Sequence, residues 1–344
     1  MKISKELEKL LDVETAISKF SGSILIKRDG NDLFKSSYDY ADRRELIKNT
    51  MDTRFTVASG SKIFTAVAIC QLVERGFITF DTLIKECIDI PFPTFSSDIT
   101  IHHLLTHTSG IPDYFDEEFM TDYEKLWENY PMYRVFTSKD FLPLFQEKEM
   151  KFQPGERFSY CNAGFILLGL IVEQISGMNF IAYIQRNILD VCDMTDSGYF
   201  RMDQLPNRTA IGYIEDQKGK EWRTNIYSVP IIGGADGGAY TTTYDLNNFW
   251  SGLMGHKLLK EETTIRMLSP QVETDNFRNY GYGVWMTIIG DEIFKYYVMG
   301  GEPGAMMVSS VYVKSSIRAH VMSNKSNGTA EIPGKVDELI YNLE

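Results

Sequence analysis

The sequence predicts an α+β fold, because strand-like segments at both ends of the chain enclose a long and mostly helical middle. Apolar runs typical of strands occur within the first 58 residues and return in the last third of the chain. Between about 59 and 189 the apolar residues recur mostly at helical spacing. We therefore expect one sheet that gathers the N- and C-terminal parts, with helices packed against it.

Turn residues and apolar periodicity place the individual elements. The predicted helical segments are 1–11, a helix from Ser59 that stops at Gly76, Thr82–Ile88, Ile101–His107, Phe141–Glu147, Gly164–Ile175, Phe180–Leu189, Thr243–Leu253 and Ile332–Leu343. The predicted strands are Gly22–Arg28 and Asp32–Tyr38 around a turn at Gly30, then Arg54–Ala58, Ile211–Glu215, Glu221–Tyr227, Tyr282–Ile289, Glu292–Met299, Met306–Val313 and Ile317–Met322.

Composition limits the kinds of function. The 344 residues are 43% hydrophobic and 24% charged, as in an ordinary globular enzyme, and the formal net charge of -12 argues against nucleic acid as a partner. The N-terminal segment is amphipathic, and no run reaches the length of apolar residues that spans a membrane, so we expect a cytoplasmic protein. The four cysteines have no C-x-x-C spacing, which indicates neither a zinc site nor a disulfide framework.

Ser59 and Lys62 form the first candidate site. Residues i and i+3 share one helix face, so the Lys62 amine can lie beside the Ser59 hydroxyl if a helix begins near Ser59. A partly desolvated lysine with a lowered pKa can take the proton of a serine and activate it as a nucleophile. The spacing alone fits equally well a helix-capping serine followed by an exposed lysine.

Two further segments carry candidate chemistry. Tyr160 and Asn162 follow a turn, and we expect an adjacent lysine ammonium to lower the pKa of such a tyrosine, which could then pass protons; a packed tyrosine and a capping asparagine are the alternative. Gly300 and Gly301 end a predicted strand, where a backbone N–H could help to hold an oxyanion, although a plain turn would also fit.

The order of these segments resembles the serine penicillin-binding protein and class C β-lactamase family, including its esterases and D-aminopeptidases. Ser59-Gly60-Ser61-Lys62 is similar to the family's S-x-x-K motif and Tyr160-Cys161-Asn162 to its Y-x-N motif. The runs from Ile101 to Pro112 and from Phe158 to Gly169 are similar to longer family segments. The resemblance covers nearly the whole chain and implies a β-lactamase/transpeptidase-like fold.

The resemblance also implies the domain organisation and the role of each site residue. One catalytic domain would span 1–344, with a sheet part at about 1–58 and 226–344 and a mostly helical part at about 59–225. Ser59 would be acylated, Lys62 and Tyr160 would form the base system, and Asn162 would position substrate and lysine. The backbone N–H groups of Ser59 and Gly301 would bind the oxyanion, and no cofactor would be needed.

The third family motif departs from the pattern. The resemblance implies a cation five residues before the Pro303-Gly304 pair, as in K-T-G or H-x-G, but this chain reads Val298-Met299-Gly300 there. Valine cannot pair with the carboxylate of a β-lactam or a D-Ala-D-Ala peptide. Loss of such a bond costs about 1.5 to 3 kcal/mol, so we expect weak β-lactamase activity.

Two weaker features remain open. His103 and His107 are four residues apart, a spacing that can hold a metal, but no third ligand is near in sequence, and we interpret both as structural. The loop 113–149 is rich in aromatic and acidic residues and could either wall a substrate pocket or form a satellite core.

We therefore expect a serine hydrolase that works through an acyl-enzyme on a small ester, amide or peptide. A DD-peptidase or β-lactamase proper is the nearest alternative. A non-catalytic ligand-binding or sensor protein is the alternative of another class. The missing cation of the third motif favours this non-catalytic hypothesis. The presence of Ser59, Lys62 and Tyr160 together argues against it.

Overall fold

The computed structural model describes residues 2–216, 219–274, 278–329 and 331–343. It confirms the predicted α+β class, since one large antiparallel sheet is flanked by helices. Among the described residues, eight strands pair in the order β2-β1-β14-β13-β12-β11-β10-β9. Strand β1 pairs with β14, so the first and last strands of the chain are neighbours in this sheet.

The helices agree in position with most of the predicted segments. Short 3-10 turns at 58–61, 123–125, 132–134 and 138–144 and a π turn at 185–189 accompany them. In chain order the α-helices are α1 (Lys2–Ser18), α2 (Lys62–Glu74), α3 (Ile84–Cys87), α4 (Ile101–Leu105), α5 (Leu126–Asn129), α6 (Asn162–Ser176), α7 (Phe180–Ile184), α8 (Thr243–Met254), α9 (Glu261–Met267) and α10 (Ile332–Tyr341).

The strands fall into the large sheet and three two-stranded ribbons, β3 with β4, β5 with β8 and β6 with β7. Their bounds are β1 (Gly22–Arg28), β2 (Asn31–Tyr38), β3 (Tyr40–Asp42), β4 (Ile47–Lys48), β5 (Phe55–Thr56), β6 (Tyr213–Glu215), β7 (Trp222–Thr224), β8 (Tyr240–Thr241), β9 (Val272–Glu273), β10 (Arg278–Tyr280), β11 (Trp285–Ile289), β12 (Glu292–Glu302), β13 (Ala305–Tyr312) and β14 (Ile317–Ser323).

Both faces of the large sheet are covered. One face packs against α1 and α10 through a small apolar cluster that includes Leu7, Ile24 and Val336. The other face contributes residues such as Met307 and Met322 to the main core, which also contains α2 and α6. Among the described helices, no single one is long and apolar enough to cross a membrane. The pair Asn162–Ser176 and Phe180–Leu189 passes that test of length and composition only when joined, and it is bent by 76°.

Three predictions need correction. Helix α2 was expected to bury one apolar face, but Lys62 to Leu72 are buried on all sides because other elements surround the helix. The segment Phe141–Glu147 is not an α-helix, since a 3-10 turn with Pro143 inside it occupies 138–144. The short elements β3, β4, β8, β9, β10, α5 and α9 were not predicted, because they have too few residues for a period to show.

Strand β12 lies directly against the turn that carries Ser59. A Cβ at Gly300 would be 2.1 Å from the carbonyl oxygen of Val57 and 2.9 Å from the backbone nitrogen of Ser59. Real Cβ atoms do not approach backbone atoms so closely, so only glycine allows this contact. At the next position, Gly301, a Cβ would enter open space.

We predict that Gly300→Ala loses about 1 to 3 kcal/mol of unfolding free energy, because the added methyl group pushes the Ser59 turn away from the sheet. Gly301→Ala is the matched control and should stay within about 0.5 kcal/mol of wild type. Urea unfolding of both variants measures the difference. Equal stability of the two variants would contradict the packing described above.

Candidate active site

Ser59 lies in a tight turn between β5 and α2. Ala58 has a positive φ of 44°, which is uncommon for a residue with a side chain and stores local strain. Backbone hydrogen bonds hold the turn, since Gly60 N donates to Val57 O at 2.8 Å and Gly238 N donates to Ala58 O at 3.0 Å. The Ser59 hydroxyl is therefore fixed at the edge of a cleft, which it helps to line.

The Lys62 amine makes three close contacts in the interior. Its Nζ lies 2.9 Å from Ser59 Oγ, 2.8 Å from Asn162 Oδ1 and 2.5 Å from the carbonyl oxygen of Asp236. The side chain is only 2% exposed, so these contacts replace water. The structure brings Ser59, Lys62 and Asn162 together, although Asn162 is 100 residues from Lys62 in the sequence.

Burial controls the ionisation of Lys62. Loss of water lowers the pKa of its amine, and the nearby charge of Asp236 opposes this effect. Asn162 Oδ1 and Asp236 O can only accept hydrogen bonds. A neutral amine would give its two protons to these acceptors, which leaves its lone pair directed at the Ser59 hydroxyl.

Tyr160 completes the group around Ser59. The Ser59 side chain acts on the pKa of its hydroxyl, and Lys62 Nζ lies 5.0 Å from the centre of its ring. The ring packs against the His107 ring, at a centroid distance of 4.3 Å and tilted by 36°, and is stacked with the Trp285 ring at 6.3 Å. Packing against these two aromatic rings therefore holds the phenol in place.

The predicted direction of the Tyr160 pKa is wrong. We expected the lysine ammonium to lower it, but burial raises the pKa of Tyr160 well above its usual value, and the charge of Glu117 adds to this effect. The Ser59 side chain opposes the shift without reversing it. At neutral pH the phenol therefore keeps its proton, while Lys62 has the lowered pKa that suits a base.

Asp113, which the sequence reasoning missed, orients Asn162. The Asp113 carboxylate accepts hydrogen bonds from the backbone N–H groups of Asn162 at 2.7 Å and Ala163 at 3.0 Å, at the start of α6. It also accepts from Asn162 Nδ2 at 3.2 Å, which turns Asn162 Oδ1 toward Lys62. Burial raises the pKa of Asp113 to about 7, although the N–H donors favour its charged form.

The other missed contact is the carbonyl of Asp236 in a glycine-rich segment. This segment also binds α2 through Thr65, whose hydroxyl donates to Ala235 O at 2.6 Å. The glycine run 233–238 was visible in the sequence, but nothing there indicated which carbonyl would face Lys62. For Asp113 the available signal was its position directly after the family-like segment that ends at Pro112.

Gly301 and Ser59 both line the cleft, which has about 760 Å³ of free space and is open to solvent. Gly300 does not line it, because its Cα packs against the Ser59 turn. Val298 is on the same strand and only 3% exposed, as part of the main core. The position at which the family resemblance implies a cation is therefore filled by a buried apolar side chain.

The two histidines are engaged in structural contacts. His103 Nδ1 accepts from Thr100 N at 3.2 Å and closes a capping box at the start of α4. His107 Nδ1 accepts from Cys161 N at 3.0 Å, and its Nε2 lies 3.2 Å from the Tyr280 hydroxyl. These contacts give both histidines a structural role. His107 also packs against the Tyr160 ring and so helps to position it.

The loop 113–149 lines the cleft and also packs into the main core, so it does not form a satellite core. Tyr114, Phe115, Tyr123 and Phe141 line the cleft beside Ser59. Others of its residues join the main core, such as Trp127, whose ring nitrogen donates to Ser228 O at 3.0 Å. The loop is thus a folded wall of the cleft.

A serine held between a buried amine and a phenol at an open cleft defines the class, a serine hydrolase that forms an acyl-enzyme. Comparison with known proteins gives the same class. The model of the Beta-lactamase family matches residues 12–331. The crystal structure of a penicillin-binding protein from Bacillus halodurans is 47% identical, covers 97% of this chain and 99% of its own, and has a TM-score of 0.91.

Two further relatives are more distant. Penicillin-binding protein 4* of Bacillus subtilis is 27% identical over 94% of this chain and 72% of its own length. A D-amino acid amidase from Ochrobactrum anthropi is 21% identical, covers 100% of this chain and 99% of its own with a TM-score of 0.80, and shares the fold. The chain belongs to the Beta-lactamase family.

We predict that Asp113→Asn lowers kcat/KM about 10- to 100-fold, because Asn162 loses the acceptor that aims its Oδ1 at Lys62. Asp245→Asn is the matched control, since Asp245 is also buried but accepts from Asp196 N and Ser197, outside the cleft. Thermal melting gives the folded fraction of each variant, so that kcat/KM can be expressed per folded molecule. Equal loss of activity per folded molecule in the two variants would argue against the orienting role.

Proposed function

We propose that this protein hydrolyses small esters or amides through an acyl-enzyme on Ser59. The observation that carries the proposal is the set of contacts of Lys62, whose two pure acceptors leave its lone pair for the Ser59 hydroxyl. A serine needs such a base to become a nucleophile at neutral pH. The geometry gives no support to a non-catalytic role.

The proposed acylation step uses Lys62 as base. Ser59 Oγ attacks the substrate carbonyl carbon while its proton passes to Lys62 Nζ. The carbonyl oxygen becomes an oxyanion, which the backbone N–H groups of Ser59 and Gly301 stabilise from the cleft. The Tyr160 phenol, which keeps its proton because burial raises its pKa, donates that proton to the leaving amine or alcohol and is reprotonated from Lys62.

Deacylation repeats these steps with water as the nucleophile. Lys62 takes a proton from water, and the hydroxide attacks the acyl carbon. The bond to Ser59 Oγ breaks as Tyr160 donates its proton to that oxygen and is reprotonated from Lys62. The free acid leaves, and the resting state is restored. The same three side chains serve both halves of the reaction, so loss of one should slow both.

The proposed substrates lack a carboxylate at the position of the third family motif. Val298 is buried there and cannot pair with a negative charge. An ester or amide is therefore a better substrate than a β-lactam or a peptide that ends in a free carboxylate. A DD-peptidase or β-lactamase proper remains the second candidate, because relatives of this chain are named penicillin-binding proteins.

We predict that a fluorophosphonate probe adds one label to the folded wild type and none to Ser59→Ala, because Ser59 is the only serine with an amine at 2.9 Å beside the cleft in the described part of the chain. Intact mass spectrometry counts the labels. Ser61→Ala is the matched control in the same turn, since the Ser61 hydroxyl donates to Ala58 O. It should still be labelled. An unlabelled wild type would contradict the proposal that Ser59 forms an acyl-enzyme.

We predict that the wild type reacts no faster with a penicillin than with the methyl ester of the same penicillin, because Val298 offers no charge to the carboxylate. Val298→Lys should favour the free carboxylate about 10- to 100-fold. The rates of acylation by the two compounds measure this preference. Thermal melting measures how much stability the buried lysine removes from the variant. A wild type that strongly prefers the free carboxylate would favour the DD-peptidase or β-lactamase reading.

A further inference from the structure

The cleft beside Ser59 has an acidic lining. Three carboxyl groups line it, those of Glu117, Asp236 and Glu302. In the part of the chain that the structure describes, no lysine, arginine or histidine lines the same cleft. Such a cleft repels an anionic ligand and attracts a cationic one.

Glu302 occupies the most informative position of the three. It directly follows Gly301, whose N–H belongs to the proposed oxyanion site, and it lies two residues after Gly300 on β12. Side chains two residues apart on a strand share one face, so Glu302 is on the face that packs against the Ser59 turn. A group bound to Glu302 would therefore lie close to the scissile carbonyl.

The carboxyl of Glu302 has only one partner. Thr56 Oγ1 donates to Glu302 Oε1 at 2.9 Å. Within 2–216, 219–274, 278–329 and 331–343, no cation forms an ion pair with Glu302, and no donor reaches Oε2. Burial raises the pKa of Glu302 to about 7, the charge of Asp236 also raises it, and the charge of Lys62 lowers it. A bound cation would supply the missing partner.

The other two carboxyls are less suited to this task. The Asp236 side chain already accepts a short hydrogen bond from the Tyr114 hydroxyl, and its backbone carbonyl binds Lys62. Glu117 is exposed, so solvent screens its charge. The aromatic walls of the cleft add a second attraction for a cation, since Tyr123 and Phe115 face the same space.

We propose that Glu302 binds an ammonium group on the acyl part of the substrate, so that the enzyme selects esters and amides of amino acids. This inference rests on the proposed acyl-enzyme function and names its substrate class. The ammonium pairs with Glu302 Oε2 while the carbonyl oxygen lies at Ser59 and Gly301. Glu302 is then a specificity residue that contacts substrate, and it takes no part in proton transfer to the reacting bond.

The test compares two substrates that differ only in the amine. Norleucine p-nitroanilide, as both enantiomers, is compared with hexanoyl p-nitroanilide, which has the same carbon skeleton without the amine. The wild type should prefer one enantiomer of the amino compound about 10- to 100-fold in kcat/KM. Glu302→Gln should remove that preference and leave the hexanoyl compound within about threefold of wild type.

Glu292→Gln is the matched control, since Glu292 is the exposed first residue of the same strand. It should keep the wild-type preference. If the wild type prefers the hexanoyl compound, or if Glu302→Gln slows both substrates equally, this inference is wrong while the hydrolase proposal stands. If neither substrate turns over and the fluorophosphonate probe adds no label, the hydrolase proposal itself fails.

A binding measurement gives an independent readout. n-Butylamine keeps its positive charge between about pH 6 and pH 8, whereas Glu302 ionises in that range. The amine should therefore inhibit ester hydrolysis more strongly as pH rises, and n-butanol should show no such change. In Glu302→Gln the pH dependence of amine inhibition should disappear. A pH dependence that persists in this variant would assign the effect to Asp113, Asp236 or Lys62 and overturn the role of Glu302.

Discussion

The burial of a single amine determines the arrangement of the site. Lys62 is 2% exposed, and an amine without water needs hydrogen-bond acceptors with good geometry. Asn162 Oδ1, at the start of α6, and the carbonyl of Asp236, in the glycine-rich segment before β8, supply them. Ser59, one turn earlier in the same helical region, is the third neighbour. Three distant parts of the chain must therefore meet before the lysine can be buried, so the chemistry of the serine depends on the completed fold.

Asn162 and the Ser59 turn are each held in place by a separate contact. Asp113 caps the start of α6 from outside the helix, so the helix N-terminus and the Asn162 side chain share one carboxylate. Gly300 allows β12 to pack against the Ser59 turn, which brings the end of this strand to the cleft. Residues that take no part in the reaction, such as Asp113 and Gly300, thus hold the catalytic side chains in position. A substitution at such a residue should reduce activity per folded molecule through position alone.

The sequence was informative where a signal is local or belongs to a long motif. Apolar periodicity located α2, α6, β12 and β13, and the motif order placed Ser59, Lys62, Tyr160 and Asn162 in one site. The full burial of α2 was missed, because periodicity cannot show how many neighbours surround a helix. The pKa direction of Tyr160 was wrong, since charge alone was considered and the burial between His107 and Trp285 was invisible. Asp113 and Asp236 act through tertiary contacts that no spacing encodes.

The electrostatics of the cleft follow from the same burial. With Tyr160 kept protonated, the lowered pKa of Lys62 makes the amine the only group at Ser59 that is suited to accept a proton. An anionic substrate would be repelled by the carboxyls of the cleft, and Val298 offers nothing to offset that repulsion. A cationic substrate, by contrast, brings the partner that Glu302 lacks. Its charge near the site would also favour the neutral form of Lys62 before attack. Substrate choice and base activation are therefore coupled, because one acidic cleft with a single buried amine controls both.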